Sequence, residues 1–249
     1  MFIEHVQFLL DTNEDRIMKI SIITINYNNI EGLKKTVESV ICQSSFKSIE
    51  YIIIDGGSTD GTVDFLKMLP ANIIWLSEKD RGISHAFNKG LQLCTGDAIL
   101  CLNSGDFFVN TEVVSKAIVD WKKYNVDMLA YKVRVTDGKY IPSTNIPDKI
   151  YKTCIEPHQG TFVSKKIYQK VGIYSEEFKI RMDFHFFARC LNAGASFKFI
   201  DEIIVNYEEG GTSMKPENRI RFWKEGMAIK FLYGVKLGLK DLCKILILF

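Results

Sequence analysis

Runs of β-branched and aliphatic residues that stop at amides, acids and glycines punctuate this 249-residue chain. Ile20-Ser21-Ile22-Ile23-Thr24-Ile25 ends in Asn26-Tyr27-Asn28. Tyr51-Ile52-Ile53-Ile54 ends in Asp55-Gly56-Gly57-Ser58-Thr59-Asp60-Gly61-Thr62. Short, nearly continuous apolar runs of this kind read as strands buried on both faces. Ile73-Ile74-Trp75-Leu76-Ser77-Glu78 and Ala98-Ile99-Leu100-Cys101-Leu102 repeat the pattern. Between the runs the spacing changes to that of helices. Residues 31–43 place Leu33, Val37, Val40 and Ile41 on one face, and residues 83–94 carry Ala86, Phe87, Leu91 and Leu93. The alternation of strand and helix predicts right-handed βαβ units in an α/β fold. Further on, residues 111–124 read as a helix and residues 128–135 as a strand, with Asp137-Gly138 as a hairpin turn. Another helix is expected to begin around Asp183.

The strand ends are where chemistry is expected. Open α/β sheets bind ligands in the crevice outside the carboxyl ends of their strands. A carboxylate there, such as Asp55, can accept hydrogen bonds from a base or a ribose. The glycines beside it let a ligand approach the backbone, and Thr59 or Asp60 suits the cap of the next helix. The chain has no G-x-G-x-x-G, which argues against a dinucleotide-binding dehydrogenase, and no G-x-x-x-x-G-K-[ST] phosphate loop.

Taken in order, Ser21 to Asn28, Ile53 to Thr62, Gly82 to Gly96, Leu102 to Asp106 and the segment around Asp183 resemble the family 2 glycosyltransferases of the GT-A fold. The resemblance spans residues 18–214. It implies a Rossmann-like, mostly parallel sheet flanked by helices, followed by a C-terminal helical extension. It implies an inverting sugar transferase that takes a nucleotide-sugar donor, a UDP-sugar first, and a saccharide or lipid-linked acceptor. Thr24, Asn26, Asp55, Asp80 and Asn103 are then expected to line the nucleotide cleft, with Asn88 on a helix beside it. His158 and Gln159 match groups on the acceptor or phosphate side. Asp183 matches the general base of an acidic pair whose first member is here Met182. Asp106 matches a metal-binding strand end, where hard oxygen ligands suit Mg²⁺ or Mn²⁺.

Two departures from the family pattern stand out. Asn103 and Gly105 occupy positions where acids are usual, leaving Asp106 as the sole carboxylate of that motif, and Asp55-Gly56 stands where many relatives carry two consecutive acids. Each motif also has a plainer reading. Asp80-Arg81-Gly82 and Asp106 suit simple turns, His158 suits a structural histidine, and Asp183 suits an acid at a helix start. His185 reads as a core or helix-surface residue, and Glu208 to Ser213 as a loop that closes over the site or merely links two elements. Two other function classes remain open, a sugar nucleotidyltransferase and a non-catalytic nucleotide-sugar-binding module. The first expects a glycine-rich basic loop after the first strand, which Thr24-Ile25-Asn26-Tyr27-Asn28 is not.

Composition narrows the setting. Hydrophobic residues make up 47% and charged residues 25%, which is ordinary for a globular domain. The net charge of +2, with no basic run interleaved with aromatics, gives no reason to expect nucleic acid. The six cysteines form no C-x-x-C pair, so zinc is not expected, and they read as small apolar residues in a reducing compartment. Residues 1–17 lack the basic n-region and cleavage site of a secretory signal, and because Met18 precedes the first strand they read as an N-terminal extension or as the result of a start placed too early. The expected location is the cytoplasm. Residues 215–249 mix Arg219, Arg221, Lys224, Lys230, Lys236, Lys240 and Lys244 with aromatic and aliphatic residues. This tail is expected to form a basic amphipathic helix lying on an anionic membrane surface, or else to pack on the domain or in an oligomer.

Overall fold

The computed structural model describes residues 17–135, 140–141, 157–208, 211 and 215–234. Its centre is a nine-stranded sheet in the order β3-β2-β1-β4-β8-β6-β9-β5, with β7 paired to β6 outside that path. The first half alternates strand and helix as the hydrophobic pattern predicts. β1 (Ile20–Asn26), α1 (Ile30–Ile41), β2 (Ile49–Asp55), α2 (Thr62–Lys67), β3 (Ile74–Ser77), α3 (Ile83–Leu93) and β4 (Ala98–Cys101) follow one another. β1 pairs in parallel with β2 and β4, and β2 with β3, so the parallel expectation holds through this half. Beyond it the sheet is mixed. β5 (Phe107–Phe108), α4 (Val113–Tyr124), β6 (Met128–Val135) and β7 (Tyr140–Ile141) lead to β8 (Thr161–Ser164), α5 (Lys165–Val171), α6 (Met182–Asn192), β9 (Phe197–Tyr207) and α7 (Arg219–Leu232). β8 runs antiparallel to both β4 and β6, and β9 is parallel to β6 and antiparallel to β5.

The two faces of the sheet carry two cores. Ile20, Ile22, Tyr51 and Ile53 pack with Leu33, Val37 and Val40 of α1 on one side. Ile23, Ile52 and Ile54 pack with Phe87 of α3 and with Phe186 and Phe187 of α6 on the other. Side chains alternate across a strand, so burial on both faces requires the near-continuous apolar runs seen in the sequence. β9 escaped the same reading because Lys198, Asp201 and Glu202 interrupt it, and its register against β6 shifts at Tyr131/Lys132 and Lys132/Val133. Cys94, Cys101 and Cys190 are buried as expected, whereas Cys42 is exposed. The turn at Asp137-Gly138 lies outside the described residues, but β6 and β7 on either side of it pair antiparallel.

A buried acid ties the starts of β1, β2 and β4 together. Glu50 accepts from Lys19 Nζ at 2.7 Å, Ser21 Oγ at 2.6 Å and the Thr95 backbone N–H at 2.6 Å. Burial alone would raise its carboxyl, but these bonds outweigh burial and lower it to about 2. Because the folded pKa is depressed, this stabilisation is complete above the unfolded value near 4.5 and is lost as pH falls toward about 2. Glu50→Gln is therefore expected to cost about 3 kcal/mol at neutral pH, and the gap to the wild type should narrow as pH falls from about 4.5 toward about 2. Denaturant melts at several pH values check this; a gap independent of pH would refute the assignment.

The C-terminal helix docks on the domain. Ile229 of α7 is buried against Phe184 and Ala188 of α6. Glu225 of α7 accepts the backbone N–H groups of Lys179 (2.9 Å), Ile180 (2.9 Å) and Arg181 (2.8 Å). Over Arg219–Leu232 the basic and apolar residues are distributed all round the helix, so the expected single apolar face is not seen there. Ile220, Phe231 and Leu232 are exposed. Residues 235–249 of the expected tail, and residues 1–16 of the expected extension, lie outside the described residues. Among the described residues no helix is long and apolar enough to cross a membrane.

Candidate active site

The carboxyl ends of β1 and β2 are organised around Asp55. Its Oδ1 accepts from Asn26 Nδ2 at 3.0 Å and from Ser58 Oγ, and its Oδ2 from Gly57 N (3.1 Å), Ser58 N (2.9 Å) and Ser77 Oγ (2.7 Å). Asp55 has no exposed surface. Burial alone would raise its carboxyl, but the donors from Ser58, Ser77 and Asn26 prevail and hold it below the usual carboxylate range. Asp60 accepts both the Ile30 N–H at the start of α1 (2.9 Å) and the Thr62 N–H at the start of α2 (3.2 Å). The acid expected to cap one helix thus serves two.

Above this framework opens a cleft of about 660 Å³, and Asn26, Asp80 and Asn103 line it together with His158, Gln159 and Asp183. Asp80 reaches it because of Gly56. A Cβ at residue 56 would lie 2.6 Å from Asp80 Oδ2. The missing second acid of the Asp55-Gly56 pair is therefore the space in which the Asp80 carboxylate stands. Asp80 Oδ1 also accepts the Gly82 N–H at 2.9 Å, which fixes the turn into α3.

Asp183 sits in the first turn of α6 and lines the same cleft, its side chain one quarter exposed. Its Oδ1 accepts the Phe184 N–H at 2.7 Å, and its Oδ2 lies 3.5 Å from His158 Nδ1. His158 Nε2 is 3.3 Å from Asn103 Nδ2. Donation from the Asn103 amide to Nε2 assigns the ring proton to Nδ1, where it faces Asp183. Burial alone would raise the Asp183 carboxyl, but His158, Arg181 and the Phe184 N–H outweigh it and hold it below the usual range. Asp183 is thus an ionised carboxylate at neutral pH, steered by a histidine that also touches the turn after β4.

Four residues expected in or beside the nucleotide cleft, or at a metal, are placed elsewhere. Thr24 is fully buried and hydrogen-bonded to Tyr51 Oη at 3.1 Å, because it points into the core on the α1 side of β1. Asp55 lies beneath the cleft, with both oxygens engaged. Asn88 clips α3 to the loop before α6 by donating to Tyr174 O (2.8 Å) and accepting from Tyr174 N (2.9 Å). Asp106 is 2% exposed and does not line the cleft. His185 packs on the Phe178 ring, and burial lowers its imidazole to about 4, as suits a core histidine.

The residues present do not fit a divalent metal at the turn after β4. Asp106 Oδ1 accepts the Glu208 N–H at 3.1 Å, Oδ2 is buried without a partner, and burial pushes the carboxyl up to about 7 against the pull of that N–H. Toward the cleft the turn presents Asn103 and Ser104. At Gly105, with φ +102°, a Cβ would fall on the Glu208 carboxylate, which is paired with Lys35 at 3.4 Å. Among the described residues no group of three His, Cys, Asp or Glu side chains could hold a metal.

Several cleft residues carried no signal in the sequence. Lys179, Arg181, Lys215 and Phe222 line the cleft beside Asp183. Two of them precede or lie on α7, in the stretch read as a separate tail. Tyr207 and Gly211 also line it, at the start of the loop expected to close over the site. Glu209, Gly210, Thr212 and Ser213 of that loop lie outside the described residues.

Solved structures of similar shape are glycosyltransferases. TarS of S. aureus, solved with UDP-GlcNAc, superposes with a TM-score of 0.72 at 19% identity, covering 91% of this chain and 69% of that one. The mannosyltransferase PcManGT of Pyrobaculum calidifontis, solved with GDP-Man and Mn²⁺, gives 0.65 at 15% identity, covering 95% and 71%. At these identities the likeness shows the GT-A fold. In sequence, an uncharacterized glycosyltransferase of Mycobacterium tuberculosis is 33% identical over 177 residues, 68% of each chain. The model of the family described as "Glycosyl transferase family 2" matches residues 21–188, the span from β1 through α3 and β4 to Asp183 on α6. The chain belongs to the family 2 glycosyltransferases.

Proposed function

We propose that the chain transfers a sugar with inversion from a nucleotide-sugar to an acceptor hydroxyl, with Asp183 as general base. The observation that carries this reading is the ionised Asp183 carboxylate, which lines one cleft with Asn26, Asp80 and Asn103. Asp80 and Asn26 stand over the ends of the parallel strands, where a nucleoside binds in open α/β sheets. The anomeric carbon then lies between them and Asp183. Asp183 removes the hydroxyl proton as the acceptor oxygen attacks the anomeric carbon from the face opposite the leaving group. Base catalysis of this kind supplies about 10² to 10⁴ in rate.

A UDP-sugar is the donor of first choice, supported by the UDP-GlcNAc complex of TarS, while the GDP-Man complex of PcManGT makes a GDP-sugar the second. The acceptor is a saccharide or lipid-linked hydroxyl of polysaccharide or oligosaccharide assembly, a reading supported by the family alone. The test is a screen of UDP- and GDP-sugars with candidate acceptors, reading release of nucleoside diphosphate and the anomeric configuration of the product by NMR. The expected result is turnover with one nucleotide-sugar and an inverted product. A retained configuration would refute the base role, and binding without turnover would favour a non-catalytic module.

A further inference from the structure

We propose that Lys179, Arg181 and Lys215 form a cationic subsite that holds the nucleoside diphosphate and stabilises its departure without a divalent metal. The inference rests on the glycosyl-transfer reading and adds to it what takes up the charge of the leaving group. When the acceptor oxygen bonds to the anomeric carbon, the bond from that carbon to the β-phosphate oxygen breaks and its electron pair stays on that oxygen. The acceptor proton goes to Asp183. No oxidant or reductant enters, but negative charge accumulates on the diphosphate in a cleft that already holds two carboxylates, Asp80 and Asp183. Electrostatic stabilisation at such a point commonly contributes more to catalysis than any other effect. The turn after β4 presents no carboxylate to the cleft to hold a metal there, since Asp106 is buried behind the lining residues and residue 105 has no side chain.

The three cations line the same cleft, and none is locked in an ion pair with a described residue. Among the described residues none of Lys179, Arg181 and Lys215 forms a salt bridge. Glu225, the acid that approaches this segment, bonds the backbone N–H groups of residues 179 to 181, so it fixes the chain and leaves the side-chain charges available. Arg181 is 9% exposed yet lines the cleft. Its guanidinium carbon sits 4.2 Å from the centre of the Phe222 ring and 4.7 Å from that of Phe184. Ring faces hold a guanidinium without using its N–H donors, which remain in the planar fork that suits phosphate oxygens. Lys179 and Lys215 are exposed at the cleft wall and add mobile positive charge.

The test uses the full chain, freed of metal with EDTA, and calorimetric titration with UDP, GDP and uridine. UDP or GDP should bind in EDTA, more tightly than the nucleoside, with an affinity that falls as salt is added. With the EDTA removed, added Mn²⁺ should not raise that affinity, and the protein should not lower the electron paramagnetic resonance signal of free Mn²⁺ beyond what the nucleotide alone removes. Arg181→Gln and Lys215→Gln should each weaken diphosphate binding about 10- to 100-fold, the scale of a lost charge-assisted hydrogen bond. Both should leave uridine binding unchanged, and Arg181→Lys, which keeps the charge, should retain part of the affinity. Diphosphate binding that requires Mn²⁺ would overturn the proposal. So would variants that weaken only an anionic acceptor, or a diphosphate that binds no better than uridine. Failure of nucleotides and nucleoside alike would instead overturn the donor reading, and this proposal with it.

Discussion

Asp183→Asn is expected to lower turnover by at least about 10²-fold while nucleoside diphosphate affinity stays within about twofold of the wild type. The amide keeps the size of the carboxylate and its acceptor for the Phe184 N–H at the start of α6. It removes the charge and the proton affinity that an attacking hydroxyl requires. His158 sharpens the expectation. Its Nδ1 faces Asp183 Oδ2 at 3.5 Å, and its Nε2 faces the Asn103 amide at 3.3 Å, so the base is oriented through a side chain that also touches the donor wall. A substituted amide turned with its nitrogen toward His158 would meet a donor and swing away, which adds to the loss. Single-turnover rates beside calorimetric titrations separate the two quantities. Normal turnover in the variant would show that another group takes the proton.

Asp55→Ala should be the most destabilising change near the site, costing about 3–5 kcal/mol. It strips one fully buried acceptor from five donors on Asn26, Gly57, Ser58 and Ser77. For a chain of this size the melting temperature should fall by about 10 °C. The sign of its pH dependence follows from the lowered carboxyl of Asp55. A depressed folded pKa gives stability that is present above the unfolded value and fades as pH falls through the folded one. The deficit of the variant should therefore shrink in acid, and melts at neutral and acidic pH would show it. Nucleotide binding should fall too, because Asn26 loses the partner that holds it at the cleft. An unchanged melt would mean that the loop holds itself without Asp55.

The contrast between these two acids shows what a sequence can disclose. Both stand at the edge of an element, and both were expected to meet ligand. The structure puts Asp183 in the cleft and Asp55 beneath it. An apolar run reveals that a strand is buried on both faces, so β1 to β4 were legible. It does not reveal whether the acid at its end points up to solvent or back into the turn that follows. Asn26, Asp80, Asn103, His158, Gln159 and Asp183 do meet at the cleft. Thr24 and Asn88 could not be told from their neighbours, because one buried strand position or helix turn looks like another until the register is known. Lys179, Arg181 and Lys215 were silent for a different reason. Their meaning comes from Phe222 and Glu225 on α7, far along the chain, and no local spacing announces a guanidinium stacked between rings from two helices.

The hydrogen bond from Glu208 N–H to Asp106 has a bearing on the order in which the chain takes shape as it leaves the ribosome. β1, β2 and β3 pair with partners that all lie within residues 20–101, so this part of the sheet can close early, although β4 waits for β8 on its other edge. β5, immediately after Asp106, sits at the sheet edge and pairs with β9 alone, through Phe107↔Asn206 and Phe108↔Val205. Until about a hundred further residues have been made, Phe107 and Phe108 have no strand to join and the Asp106 carboxyl has no backbone donor. Contacts so distant in sequence close a large loop and form slowly. The part of the cleft that carries His158, Asp183 and the cations is thus the late half of the site, assembled onto the β1–β3 half that already exists.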